Sequence, residues 1–229
     1  MTKHLKRLFA PKTWKIKRKG IVYISKPSAG PHARDLCMPL NVILRDILKI
    51  ATTTREVKYL LFNRQVMVDG VKKKDYRFPV GLFDVLSLPE VKQQYRITLA
   101  DDGMLHAMPI KDKEASIKLC KIIGKTAVKG KVQLNLNDGR NMIVEKDSYK
   151  VGDGIVITIG EKCQIKDHIK LDKGALIFLM GGKHKGHIGT VEDIADKRII
   201  YRTKDGNVSE SLKHYAFPVG KEKPLIAIE

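Results

Sequence analysis

Two hydrophobic rhythms run along the chain, and their order divides it. From Leu40, apolar residues fall at helical spacing: Leu40, Ile43, Leu44, Ile47 and Leu48 share a stripe, with Arg45, Asp46 and Lys49 off it. A helix is predicted to open at Pro39–Leu40. A second is predicted from Thr53, where Thr53-x-x-Glu56 has the form of a capping box and Val57, Leu60 and Leu61 make the stripe. Arg55 and Lys58 face elsewhere, and Arg64 follows the last turn. The period then drops to two. Val66-Met67-Val68 leads into Asp69-Gly70, a hairpin-turn signal, then Val71 and the basic run Lys72-Lys73-Lys74. Another strand is expected at Asp84–Leu88.

Residues 90–170 alternate in short bursts. Tyr95–Leu99 precedes Asp101-Asp102-Gly103, and Val132–Leu136 precedes Asn137-Asp138-Gly139. Met142–Val144 and Val151–Ile157 continue the pattern, and Ala115–Ile123 reads as one short helix. Such closely spaced turn signals predict a small antiparallel barrel. Beyond Gly174, the apolar Ala175–Met180 meets Gly181-Gly182-Lys183-His184-Lys185-Gly186, a glycine-rich basic loop. Strands are expected again at Ile188–Val191 and Ile199–Tyr201.

The predicted class is α+β and multi-domain. A basic extended arm spans 1–38, a small two-helix and strand unit 39–104, and a central β-barrel-like unit 105–170. A small β unit covers 171–209 and a tail 210–229. Hydrophobic residues make up 43% of the 229, enough to bury real cores. No stretch reaches the roughly 18 apolar residues that span a bilayer, and the N-terminus has no apolar secretory segment. Three distant cysteines suggest buried thiols in a reducing compartment, not a disulfide framework or zinc site.

Charge changes the picture more. The formal net charge is +19, which makes a polyanion the natural partner. Almost half of that excess lies in residues 1–40, and the first 34 carry ten Lys/Arg and no acid. The candidate RNA contacts there are Lys3, His4, Lys6, Arg7, Lys12, Trp14, Lys15, Lys17, Arg18, Lys19, Lys26, His32 and Arg34. Pro11, Pro27, Gly30 and Pro31 deny long helices. Trp14, the only Trp, sits among lysines with Phe9 and Tyr23 on either side. It either stacks on unpaired bases or packs against the body of the protein. The arm is expected to order only on RNA, and its deletion to leave the body folded.

Three further groups extend the candidate set. Arg55, Lys58 and Arg64 flank the second helix, whose free N-terminal N–H groups could meet a phosphate. Lys72, Lys73 and Lys74 form a basic loop, and Lys183, His184 and Lys185 the glycine-rich one. Solvated charge is the plainer reading of each. Gly124-Lys125-Thr126 has the ending of a phosphate-binding loop, but Leu119 stands where its first Gly is needed. His184 and His187 lack companion ligands for a metal. No nucleophile pattern appears, so no enzyme, cofactor, metal or small-molecule substrate is expected.

The string from Thr53 to Val57, Asn63 to Lys72 and Val80 to Leu86 resembles the S-four RNA-binding domain. That fold presents basic groups from the start of its second helix and the following turn. The loop from Gly181 to Gly186 with its strands looks like a KOW motif, a β-hairpin unit of ribosomal proteins and transcription factors. S-four domains also occur in pseudouridine synthases, but Asp138-Gly139-Arg140-Asn141 lacks their catalytic Asp. Together with His4–Arg7, Ala10-Pro11-Lys12-x-Trp14, Lys26-Pro27-Ser28-x-Gly30-Pro31-His32 and Phe78–Leu86, these modules resemble small-subunit ribosomal protein four of the archaeal and eukaryotic type, the S four e family. The short tail looks more archaeal. The resemblance implies a cytoplasmic, ribosome-associated structural protein whose partners are small-subunit ribosomal RNA and neighbouring ribosomal proteins. An RNA-modifying enzyme and a KOW-containing assembly or transcription factor are the alternatives.

Overall fold

An indole is a large apolar surface, and where a core is within reach it goes inside. Trp14 does so, and it carries the N-terminal stretch with it. The computed structural model describes all residues but 1–3, 146, 161, 162, 205, 222 and 229. Lys3 therefore lies outside the described residues. The fold is mostly β with few helices, in two units. Met1–Leu99, Met104–Ser116 and Ile159–Glu161 form the first. Ala100–Gly103, Ile117–Thr158 and Lys162–Glu229 form the second.

In the first unit, β1 (Leu5–Lys6) pairs antiparallel with β2 (Tyr23–Ile24), burying Leu5 and Ile24. Between them Trp14 is 1% exposed, and its indole N–H donates to the Cys37 carbonyl at 2.7 Å. The expected free arm is therefore folded onto the body, where burial of Leu5, Ala10, Trp14 and Ile24, the β1–β2 pairing and the indole hydrogen bond together offset the cost of ordering the chain. Next come β3 (Cys37–Pro39) and α1 (Leu40–Val42). The helix expected over Leu40–Leu48 stays α for one turn only, then widens into a π-helical turn over Ile43–Ile47. There Leu48 N–H reaches the Ile43 carbonyl at 2.8 Å, and Lys49 at φ 55° ends the run. Leu40, Ile43 and Leu44 are nevertheless buried, as their spacing predicts.

The second helix, α2 (Thr54–Asn63), forms as expected, with Thr53 as its cap and Val57 and Leu61 fully buried. The strands β4 (Met67–Val68) and β5 (Val71–Lys72) meet at the Asp69-Gly70 turn. Both turn residues have positive φ, 49° and 74°, which is why Gly suits the second. Then follow β6 (Pro79–Gly81), which pairs with β3, β7 (Val85–Leu88), β8 (Gln93–Leu99) and β9 (Leu105–Pro109). The sheet order is β5-β4-β7-β8-β9. Leu105–Pro109, placed on the central unit from sequence, pairs with β8 instead. Its Leu105 N–H also donates to the Thr13 carbonyl at 2.6 Å, so the basic stretch lies along this strand.

The helix read over Ala115–Ile123 is a strand. A single helical turn, α3 (Asp112–Ala115), gives way to β10 (Ile117–Val128). A short apolar run fits either structure, and pairing on both sides decides this one. The neighbours of β10 are β11 (Lys131–Leu136) and β13 (Gly154–Thr158), and β12 (Asn141–Val144) and β14 (Ile165–Ile169) complete the sheet β12-β11-β10-β13-β14. Its core gathers Cys120, Ile122, Leu134, Leu136, Ile155 and Ile157. Cys37 and Cys120 are buried, but Cys163 is exposed in the loop ahead of β14, contrary to expectation.

A third five-stranded sheet follows. It has β15 (Leu176–Leu179), β16 (Ile188–Ala195), β17 (Arg198–Thr203), β18 (Val208–Leu212) and β19 (Ala216–Gly220), in the order β18-β17-β16-β15-β19. Residues from 210 onward, read as a tail, thus supply most of β18 and all of β19. The second edge of β15 is covered by β19, a long-range pairing that no local pattern announces. Lys121 of β10 is buried beside this sheet, where its ammonium donates to the carbonyls of His214 at 2.9 Å and Ala216 at 2.5 Å. Among the described residues no helix is long and apolar enough to cross a membrane.

Candidate nucleic-acid interface

Each candidate cation can be placed by asking what its side chain touches. On the N-terminal stretch Lys6, Lys12, Lys15, Lys17, Lys19 and Arg34 are exposed, and so is His4, whose ring meets Tyr23 edge-on at 5.4 Å. Three other members turn inward. Arg7 is buried, donates to the Lys17 carbonyl and pairs with Asp46 at 3.6 Å. Arg18 donates to the carbonyls of Ala10 and Pro11 at 2.6 and 2.7 Å. His32 sets Nε2 2.9 Å from the Asp84 carboxylate, with both side chains buried. With Trp14 inside as well, the packing alternative describes that ring. These residues fold the stretch, and Lys6, Lys12, Lys15, Lys17 and Lys19 stay exposed around them.

The start of α2 is capped by its own side chains. Thr53 Oγ1 accepts the Glu56 N–H at 3.2 Å, and the Glu56 carboxylate accepts from Thr52 N–H at 2.8 Å. The Thr52 backbone N–H, the strongest of these bonds, and the Thr53 and Thr52 hydroxyls hold the Glu56 carboxyl below its ordinary range. The N–H groups of Thr52 and Glu56 are therefore already satisfied by side chains. What remains basic there are the exposed side chains of Arg55 and Lys58. Arg64 is exposed but ion-paired with Glu90.

The basic loop after β5 is ordered by aromatic rings. Lys73 lies over Phe78 at 4.5 Å, Lys74 over Phe62 at 6.0 Å, and Lys58 over Tyr76 at 4.8 Å. Each such contact contributes about 0.5–1 kcal/mol at an exposed site, enough to bias where the ammonium points. Lys72 is exposed on β5. Arg77, which sequence reasoning missed, closes the loop; its backbone N–H donates to Asp75 Oδ1 at 2.9 Å.

The loop, the start of α2 and the N-terminal stretch join. Ser28 Oγ donates to Asp75 at 3.0 Å, and Ser28 N–H donates to the Arg77 carbonyl at 2.9 Å. Asn41 Nδ2 donates to both Ser25 Oγ at 2.5 Å and Thr54 Oγ1 at 3.1 Å. Lys26, half-buried between Ser25 and Ser28, thus runs between the helix start and the loop. Three separate basic groups of the sequence become one neighbourhood, and its acids Glu56 and Asp75 are already engaged. In the second unit Lys183 is exposed, and His184 and Lys185 are half-buried, on the loop between β15 and β16. Gly186 ends that loop at φ +94°, a conformation that favours glycine. No group of three or more metal-ligating side chains is found among the described residues.

The chain is similar to known proteins along nearly its whole length. The model of ribosomal family S4e matches residues 91–163, and that of the RS4NT (NUC023) domain matches residues 1–35. The small ribosomal subunit protein eS4 of Methanocella arvoryzae is 41% identical, covering 97% of this chain and 96% of its own. That of Methanosphaera stadtmanae is 42% identical, covering 99% and 95%. The crystal structure of the 30S ribosomal protein S4e from Thermoplasma acidophilum matches with a TM-score of 0.71 at 30% identity, over 85% of this chain and 100% of that one. Fold and relatives together define a ribosomal protein. The chain belongs to ribosomal family S4e, whose members are structural proteins and not enzymes.

Proposed function

We propose that the chain is a structural constituent of the small ribosomal subunit, associated with ribosomes in the cytoplasm. It holds ribosomal RNA through the N-terminal stretch, the S-four-like unit around α2 and the KOW-like loop of the second unit, and it packs against neighbouring ribosomal proteins. The observation that carries the reading is the joined basic neighbourhood of Lys26, Arg55, Lys58 and Lys72–Lys74, in which cations outnumber the carboxylates of Glu56 and Asp75. Lysines biased over rings present their ammonium groups to phosphates and lose less freedom on binding than unrestrained ones. RNA shape supplies specificity when separate modules touch separate elements of one folded RNA.

Gradient sedimentation of a low-salt lysate tests this. The protein is expected to travel with the small subunit at one copy per particle. Recovery in the soluble fraction would overturn the proposal, and sub-stoichiometric, transient association would point to an assembly factor.

A further inference from the structure

The N-terminal tryptophan that suits base stacking is inside, yet two rings that nothing assigns a role stand outside. Tyr59 and Phe62 of α2 are 64% and 71% exposed. They are three residues apart and so adjacent on one helix face, opposite the buried Val57 and Leu61. We propose that Tyr59 and Phe62 form a stacking platform for unpaired bases of the RNA. The inference rests on the RNA-binding reading above and names the part of the ligand this face takes.

The surroundings specify that ligand. Arg55 lies one turn before Tyr59, and Lys58 one turn before Phe62. Lys74 reaches over the Phe62 ring from the basic loop, at 6.0 Å. The acid on the same helix, Glu56, is folded back on Thr52 and Thr53, and Glu90 beside the helix end is paired with Arg64. Asn63 Nδ2 donates to the Tyr59 carbonyl at 3.1 Å. Aromatic faces interleaved with unneutralised cations match a strand that offers bases and phosphates in alternation. A basic neighbouring protein would be repelled by the same rim. A duplex keeps its base faces stacked, so the complement is a loop, bulge or splayed strand.

The test uses the full-length protein and a small-subunit rRNA transcript, with affinity measured over a range of salt. Tyr59→Ala and Phe62→Ala are each expected to weaken binding by about 5- to 150-fold, the range for removing one base stack. The slope of log affinity against log salt should not change, because no cation is removed. Phe62→Leu should recover little, since it restores apolar bulk without a ring face. Lys74→Gln should instead flatten the slope by about 0.7. Both rings are exposed, so the variants should keep wild-type circular dichroism. If wild type binds and the alanine variants bind equally well, the platform is refuted while the RNA-binding reading stands. Variants that bind RNA normally but fail to enter subunits would assign the face to a protein neighbour and refute it too. Absence of wild-type binding would overturn the parent reading and this one with it.

Discussion

His32 Nε2 lies 2.9 Å from Oδ2 of Asp84, and the same oxygen accepts the Gly81 N–H at 2.8 Å. The imidazole packs on Gly81 so closely that a Cβ there would sit 2.2 Å from the ring. One carboxylate thus fastens the end of the N-terminal stretch to the turn after β6. His32→Ala should cost about 1.5–3 kcal/mol, the worth of a hydrogen bond to a charged group. Urea unfolding would give the loss, and trypsin should cut the lysine-rich stretch sooner. Unchanged midpoint and cleavage would show that the fastening lies elsewhere.

Trp14 reports on its own burial. As the only tryptophan, it should emit at short wavelength, resist acrylamide and show no change when RNA binds. Quenching by RNA would mean that the ring leaves the core for a base. Trp14→Ala should destabilise the first unit by about 3–5 kcal/mol.

The two roles of the N-terminal cations can be separated. Replacing Lys12, Lys15, Lys17 and Lys19 by Gln should leave stability within about 0.5 kcal/mol, because all four are exposed. The salt slope of RNA binding should flatten by about 0.7 for each phosphate that is no longer neutralised. Deleting residues 1–34 should instead unfold the first unit, since Leu5, Trp14, Ile24 and His32 go with them. A folded, soluble deletion by circular dichroism would contradict this.

Lys118 and Asp138 form a buried ion pair at 3.1 Å in the second unit. Burial pushes the Asp138 carboxyl up, but Lys118, the Arg140 backbone N–H and the Arg140 side chain together outweigh it and leave the value below the ordinary range. A lowered folded pKa gives stability that is full above the unfolded value, about 3.9, and lost as pH falls through the folded one. Asp138→Asn should therefore be less stable than wild type at neutral pH, and the gap should close below about pH 4. Asp138→Ala, which takes the carboxylate away from buried Lys118, should cost about 3–5 kcal/mol, and Lys118→Met with Asp138→Leu should recover most of it. A pH-independent gap would show that the pair contributes packing and not charge.

Part of the fold was legible residue by residue. The Thr53 cap, the Val57 and Leu61 stripe, the Asp69-Gly70 turn and the Val132–Leu136 alternation need only near neighbours, and all appear as expected. The candidate site was legible as charge. Which cations turn inward was not, because Arg7, Arg18 and His32 look in sequence like the exposed lysines beside them.

By itself, then, the sequence determined local structure, the polyanionic partner and the resemblance to S four e proteins. These follow from periodicity, composition and motif order along the chain. Tertiary structure alone decided that Trp14 is core, that Ile117–Val128 is a strand and that the residues after 210 close a sheet. It also decided that Lys74 comes over the ring of Phe62. Each of these outcomes depends on partners distant in sequence: Cys37 for Trp14, β11 and β13 for β10, β15 for β19, and the loop of Lys74 for Phe62. Burial and pairing across such distances are settled by the whole chain at once, so no window of sequence contains them.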